Sequence, residues 1–246
     1  MLAIEGLSKR YGETIALSGA SIDFGAGLVH SILGENGSGK STLVKLLSGI
    51  VLPDAGAILF EGHAFSGRRP ADFQAAGFMT VFQEVLIAPD RTVIDNVLMG
   101  YDGLFRRRIA RAARRTAVAQ ALARFARTAV PLDALAGDLP LAAQQLVVLA
   151  RAVVRRPKVL VLDEVTAALD FADREAVFAL MRDLADAGTL ILFITHRMDE
   201  VTLLSDRISI LRGGKVVATR PAAGADPDDL LRLMAPETAA ELAHHG

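Results

Sequence analysis

Cysteine is absent from the 246-residue chain, which excludes a disulfide scaffold and thiol chemistry and fits a reducing compartment. No apolar run approaches the roughly 18–20 residues that a membrane-spanning helix requires, although 52% of the residues are apolar. Met1 to Arg10 shows no basic segment followed by an apolar stretch, so no secretory signal is expected. Net charge is nearly absent too. The 27 Lys and Arg against 28 Asp and Glu leave −1, which argues against a strongly nucleic-acid-seeking surface. Internal repeats are not found. What is left describes a soluble globular protein, cytoplasmic by default, able to build one large core with a subsidiary lobe, or two small domains.

Strand-like and helix-like segments alternate, which predicts an α/β architecture. Leu2–Ile4, Ile15–Leu17 and Ser21–Phe24 read as short strands punctuated by Gly12, Gly19 and Gly25. Leu28–Leu33 reads as an apolar strand that ends in a Gly-rich turn, and Lys40–Ser48 as a helix stopped by Gly49. Ala57–Phe60 follows as another strand after the Pro53–Gly56 turn. From about Val93 to Arg155 the strand signal vanishes and Ala, Leu and Arg dominate, which predicts an inserted helical lobe broken at Pro131 and Gly137. Val159–Leu162 and Leu190–Thr195 then read as buried strands, separated by a helix from about Ala172 to Ala187. Arg207–Leu211 and Lys215–Ala218 flank Gly213-Gly214 as a hairpin. Asp226-Pro227 starts a last short helix, and the Ala-rich tail after Pro236 reads as a frayed end. The division expected is a β-rich core over about 1–90 and 157–220, a helical subdomain over about 91–156, and a C-terminal helix and tail over about 221–246.

The segment Gly34-Glu35-Asn36-Gly37-Ser38-Gly39-Lys40-Ser41-Thr42 contains the pattern G-x-x-x-x-G-K-[ST], between a predicted strand and a predicted helix. Glycines let the backbone curl so that successive N–H groups point at phosphate oxygens, and the helix adds its positive end. In such a loop Lys40 reaches the β- and γ-phosphates and the Ser41 hydroxyl ligates Mg²⁺. Binding alone is not hydrolysis, which also needs a carboxylate on the metal and a group that orients water. Asp163 and Glu164 close the apolar strand Val159–Leu162; Asp163 fits the metal shell and Glu164 the general base. Capping or surface roles are the alternative for such a pair. His196 follows the strand Leu190–Thr195 and fits either a surface histidine or a γ-phosphate contact. Gln83 closes a further short apolar run, where a glutamine is usually just solvated.

Taken in order, these segments resemble the ATP-binding cassette (ABC) family over nearly the whole chain. The resemblance implies a P-loop NTPase sheet core with an N-terminal antiparallel β region and an inserted helical subdomain. It implies a Mg²⁺-dependent ATPase, with ATP and Mg²⁺ as ligands. Gln83 is similar to the Q-loop glutamine, which in the family senses Mg²⁺ and water and couples to the membrane partner. Ala168, Leu169 and Asp170, within Ala167–Asp170, are similar to the D-loop, His196 to the switch histidine, and Tyr11 to the aromatic that stacks on adenine; an ordinary strand aromatic is the other reading of Tyr11. Phe82-Gln83-Glu84, Thr92–Val97 and Thr195–Glu200 resemble ATPases of simple-sugar importers, nearest to the N-terminal half of their tandem cassettes. That likeness implies transmembrane permease subunits, a solute-binding protein in the same system, and a place at the inner face of the cell membrane. A soluble cassette acting on ribosomes or DNA, or a regulatory subunit without turnover, is the rival reading. Long coiled-coil insertions would mark the former, and intact Glu164 and His196 argue against the latter.

One segment departs from the family. Its signature, roughly L-S-G-G-Q before a helix, corresponds to Leu139-Pro140-Leu141-Ala142-Ala143-Gln144. Serine and glycine N–H groups there contact the γ-phosphate held by the opposite cassette. Pro140 offers neither hydroxyl nor N–H, and Leu141 and Ala142 add side chains where glycine gives close approach. A heterodimer with a better-endowed second cassette is therefore favoured over a homodimer, unless the helix N-terminus alone supplies enough dipole. Val165, where the family usually has proline, is a milder departure. The arginines 106–108, 111, 114 and 115 read as a solvated face or a surface for membrane or partner loops; no aromatics interleave with them, so nucleic acid is not expected as a partner. His244 and His245 lie near the end and make poor metal ligands without others, and His30 and His63 receive no role.

Overall fold

A computed structural model describes residues 1–102 and 109–234. Arg106–Arg108, His244, His245 and the Ala-rich tail lie outside the described residues, as do the expectations attached to them. Two sheets form the frame. The first, antiparallel, runs β2 (Thr14–Phe24), β1 (Leu2–Tyr11), β4 (Ala55–Phe60), β5 (His63–Ala64). The second runs β10 (Lys215–Pro221), β9 (Arg207–Arg212), β3 (Val29–Leu33), β8 (Leu190–Ile194), β7 (Val159–Asp163), β6 (Phe78–Val81). Its strands from β9 to β6 are parallel, and β10 is antiparallel to β9.

Strands β7 and β8 read as apolar runs, Val159–Leu162 and Leu190–Ile194, because both of their faces are covered. Along β7, Val159 and Val161 join one core, with α1 (Lys40–Leu47) and the first sheet, while Leu160 and Leu162 join the other. Along β8, Leu190, Leu192 and Ile194 face the first and Ile191 and Phe193 the second. The second core includes α5 (Leu141–Val153) and α6 (Phe171–Asp186). A smaller cluster joins Leu33 and β9 to α7 (Met198–Leu204) and α8 (Pro227–Met234).

Several expectations change in detail. Two long strands, β1 and β2, replace the three short ones, since Gly19 adopts φ 65° where the register slips between Leu7–Ala20 and Lys9–Leu17. Glycine at positive φ makes an irregularity inside the strand instead of ending it. Two short helices, α2 (Pro70–Ala76) and α7, have no strong periodic signal and were not expected. The inserted lobe holds α3 (Val93–Val97), α4 (Arg111–Ala123), a 3-10 turn at Ala136–Asp138 and α5; Pro131 lies in the break after α4, and Gly137 within the 3-10 turn that precedes α5.

The Thr92–Val97 segment has a structural explanation. Thr92 caps α3 by accepting from Asp95 N–H at 3.2 Å. Buried Asn96 accepts from Ala88 N–H at 2.8 Å and donates to Ala88 O at 2.9 Å. The Arg151 guanidinium then ties Asn96 O (2.8 Å) and Leu86 O (2.7 Å) to α5. The loop after Gln83 is thus held to the lobe by buried polar groups, and neither end can shift alone.

His30 is fully buried, its Nε2 2.8 Å from Ser209 Oγ and its ring edge-on to Phe24. Burial, with Arg207 nearby, lowers its pKa from 6.5 to about 4. Between those values the unfolded chain takes up a proton that the folded chain refuses, so stability falls as pH falls. The loss is expected to reach about 2 kcal/mol at pH 5 and about 3 kcal/mol below pH 4 from this group. Urea unfolding of His30→Gln and the parent at pH 7 and pH 5 checks it: the variant should lose that much less between the two.

Candidate nucleotide site

Parallel register brings the site together. Ile32 is level with Ile194, and Ile194 with Asp163, so β3, β8 and β7 end at one edge and deliver Gly34, His196 and Glu164 to the same place. Ligands collect at this carboxyl edge in open α/β sheets because no side chain continues the core there. A cleft of about 880 Å³ opens on it.

The phosphate loop lines one wall, with Gly34, Glu35, Asn36, Gly37, Gly39, Lys40, Ser41 and Thr42 all on the surface of the cleft. Glycine is obligatory at two of these positions. A Cβ on Gly39 (φ 108°) would lie 2.6 Å from Ala16 O, and one on Gly34 would lie 2.3 Å from Leu211 O. Ser38 is the exception, with its side chain buried beneath the loop. Lys40 begins α1 and folds its ammonium back onto the loop, donating to Gly34 O at 2.6 Å and Glu35 O at 2.9 Å. Burial lowers its pKa, and the carboxylates of Glu164, Asp163 and Glu35 partly oppose that.

The opposite wall carries the carboxylates. Asp163 is nearly buried at the end of β7, and its pKa is raised to about 6 by burial and then by Glu164, against the pull of Lys40. Glu164 sits at φ 50°, a left-handed conformation unusual outside glycine, at a cost of order 1–3 kcal/mol. Its N–H donates to Ile194 O at 2.9 Å. Its side chain meets two groups from other elements. Gln83 Nε2 donates to Oε2 at 3.1 Å, and His196 Nδ1 lies 3.2 Å from Oε1. Gln83 and His196, far apart in sequence, therefore meet on the Glu164 carboxylate.

A hard cation fits between these walls. Ser41 and Asp163 present oxygen donors to the same cleft as Gln83, and a carboxyl group with a raised pKa is one that a cation would relieve.

Tyr11 ends β1, 43% exposed, with Lys9 Nζ 5.8 Å from its ring centre, and it is not on the cleft surface. Thr14, Ile15 and Ala16 line the cleft instead, as does Met234 from α8. Nothing in the sequence marks them: Ile15 reads as any strand residue, and its exposure follows from where β2 passes the loop.

The signature-like segment is also separate from the cleft. Pro140 is the N-cap of α5. Leu141 is 58% exposed, Leu139 and Ala143 are buried, and Gln144 Nε2 turns back onto Leu139 O at 2.8 Å. Ala168 and Asp170 are exposed next to half-buried Leu169, and Asp170 caps α6 by accepting from Asp173 N–H at 2.8 Å. Neither segment lines the cleft that holds the phosphate loop.

A family model described as ABC transporter matches residues 17–167. The chain belongs to the ABC transporter family. Among curated ABC proteins it is 38% identical to "Ribose import ATP-binding protein RbsA 1" of Rhizobium johnstonii over 95% of this chain and 46% of that one. It is 39% identical to the protein of the same name from Streptomyces avermitilis, over 95% of this chain and 44% of that one. The chain thus spans about half the length of the curated relatives it matches. A solved dimeric structure, titled as a post-hydrolysis state of the ATP-binding cassette MJ0796 bound to ADP and Pi, superposes with a TM-score of 0.81. That alignment covers 92% of this chain and 100% of that one at 23% identity, which establishes the ABC cassette fold. Among the described residues, no helix is long and apolar enough to cross a membrane.

Proposed function

We propose that this ABC chain binds ATP with Mg²⁺, hydrolyses it, and energises passage of a sugar or similar small solute through separate membrane subunits. The observation that carries the reading is the meeting of Gln83 and His196 on Glu164 opposite the phosphate loop. In the proposed reaction the loop N–H groups and Lys40 hold the phosphates, and Lys40 offsets charge that develops on the γ-phosphoryl group. Glu164 orients the attacking water and accepts its proton, while His196 contacts the γ-phosphate and holds the Glu164 carboxylate in line. Mg²⁺ held by Ser41, Asp163 and Gln83 would supply further neutralisation of phosphate charge. Tyr11 reaches adenine in this reading only if its ring turns from Lys9 when nucleotide enters.

Lys40→Ala tests the binding half. Loss of one charged hydrogen-bonding group, at about 1.5–3 kcal/mol, should weaken ATP about tenfold to hundredfold in calorimetry. Unchanged affinity would remove Lys40 from the phosphate site.

The Pro140 and Asp170 segments support a second cassette as partner, since neither lines the cleft of its own chain. Support for a permease comes from a groove of about 330 Å³ between sheet and lobe. Phe82, Glu84 and Leu86 bring it directly to Gln83, and Met99, Arg151 and Arg155 form its far side. A partner seated there would move Gln83 and thereby Glu164. Co-purification with an apolar membrane subunit, lost on replacing Leu86 with Asp, is the expected result.

A further inference from the structure

Glu200 lies on α7, outside the cleft, and is 1% exposed. A buried acidic side chain is costly unless its oxygens are satisfied, and here both are. Oε1 accepts from Thr166 Oγ1 at 2.9 Å and Oε2 from Thr195 Oγ1 at 2.7 Å. Arg197 Nε approaches Oε1 at 3.6 Å. Both threonines are themselves buried, 2% exposed each. Thr195 Oγ1 also accepts from Arg197 N–H at 3.1 Å, closing the turn that carries His196.

The positions of the threonines are what matter. Thr166 stands two residues beyond Glu164, and Thr195 immediately before His196. A further direct tie reaches the Glu164 backbone, whose N–H donates to Ile194 O. Glu164 is held at positive φ, so its side-chain direction depends on the turn that follows it. The Glu200 clamp thus ties together the two turns that carry the Glu164–His196 contact of 3.2 Å, and none of its three residues lines the cleft.

We propose that Glu200 is a positioning residue for hydrolysis, locking the Glu164 turn to the His196 turn through Thr166 and Thr195. This rests on the ATPase reading above. Glu200→Gln keeps the shape but presents an amide to one hydroxyl that now donates to an oxygen. In the chain assembled with its partner cassette, turnover should fall about tenfold to hundredfold, the scale of an ångström-sized misplacement. ATP affinity should change less than twofold, because the phosphate loop is untouched. In a His196→Ala background the same substitution should cost less than about threefold, as coupled residues are non-additive. Thr166→Val should reproduce the loss, and Thr166→Ser, which keeps the hydroxyl, should retain most of the turnover that valine removes.

A second readout needs no turnover. Amide exchange of Glu164 and Arg197 should quicken about tenfold or more in Glu200→Gln, with the amides of β7 and β8 unchanged. Wild-type turnover in that variant, an equal loss with and without His196, or unaltered exchange at both amides would each overturn the proposal. An assembled parent that binds ATP without hydrolysing it would instead overturn the ATPase reading, and the exchange result would still decide the clamp. Should Glu200→Gln fail to fold, the valine and serine variants at Thr166 decide it.

Discussion

Glu164→Gln is expected to reduce ATP turnover about 100-fold to 10,000-fold, the range a general base contributes, while ATP still binds. The substitution is close to isosteric. Glutamine can adopt the same φ of 50°, keep an oxygen toward Gln83 Nε2 and leave the His196 contact distance available. It cannot take a proton from water. Binding should survive because the phosphate loop and Lys40 form a separate wall, with Lys40 held by Gly34 O and Glu35 O. Removing a negative charge beside buried Asp163 should also lower the Asp163 pKa, since Glu164 is one of the causes that raise it. Phosphate release in single-turnover format measures the first effect, and calorimetry with ATP the second. Normal turnover in the variant would remove Glu164 as base.

The second large effect concerns assembly. Purified alone at high concentration, the chain should hydrolyse ATP at least about 100-fold more slowly than with a cassette bearing a serine and glycines in its signature segment, a loss of about 2.7 kcal/mol or more. In the proposed composite site each chain would lend its signature segment to the facing one, and here Pro140 has no N–H to give and Leu141 adds an exposed side chain at the first position of α5. The combined variant Pro140→Ser, Leu141→Gly and Ala142→Gly should raise turnover of the chain alone and make it rise steeply with concentration. Serine at the N-cap of α5 gains about 1 kcal/mol, and glycines in the first turn cost about 1 kcal/mol each. The helix should survive, because Leu146, Val147, Leu149 and Val153 anchor it in the core. Robust, cooperative turnover by the unaltered chain without a partner would sink this reading.

Local chemistry made much of this legible before any coordinates. The loop from Gly34 to Thr42 is contiguous, so its glycines, lysine and hydroxyls identify themselves by spacing. The runs Val159–Leu162 and Leu190–Thr195 announce buried strands because both sheet faces are covered, and a strand that must end leaves its next residue at the sheet edge. Asp163, Glu164 and His196 could therefore be nominated. Short amphipathic pieces such as α2 and α7 carry too little periodicity to stand out, and Gly19 reads as a strand break where tertiary pairing carries the strand through.

The sequence by itself determined the phosphate cradle, the α/β order of elements and the oddity at Pro140, since each depends on residues adjacent in the chain. Only the tertiary structure decided that Gln83, Glu164 and His196 touch, and that Tyr11 stands off the cleft while Ile15 and Met234 line it. It alone decided that Glu200 bridges the two turns behind the site. Each of these depends on parallel register and on how one turn leans against another across the sheet, and spacing along a single chain carries no measure of either.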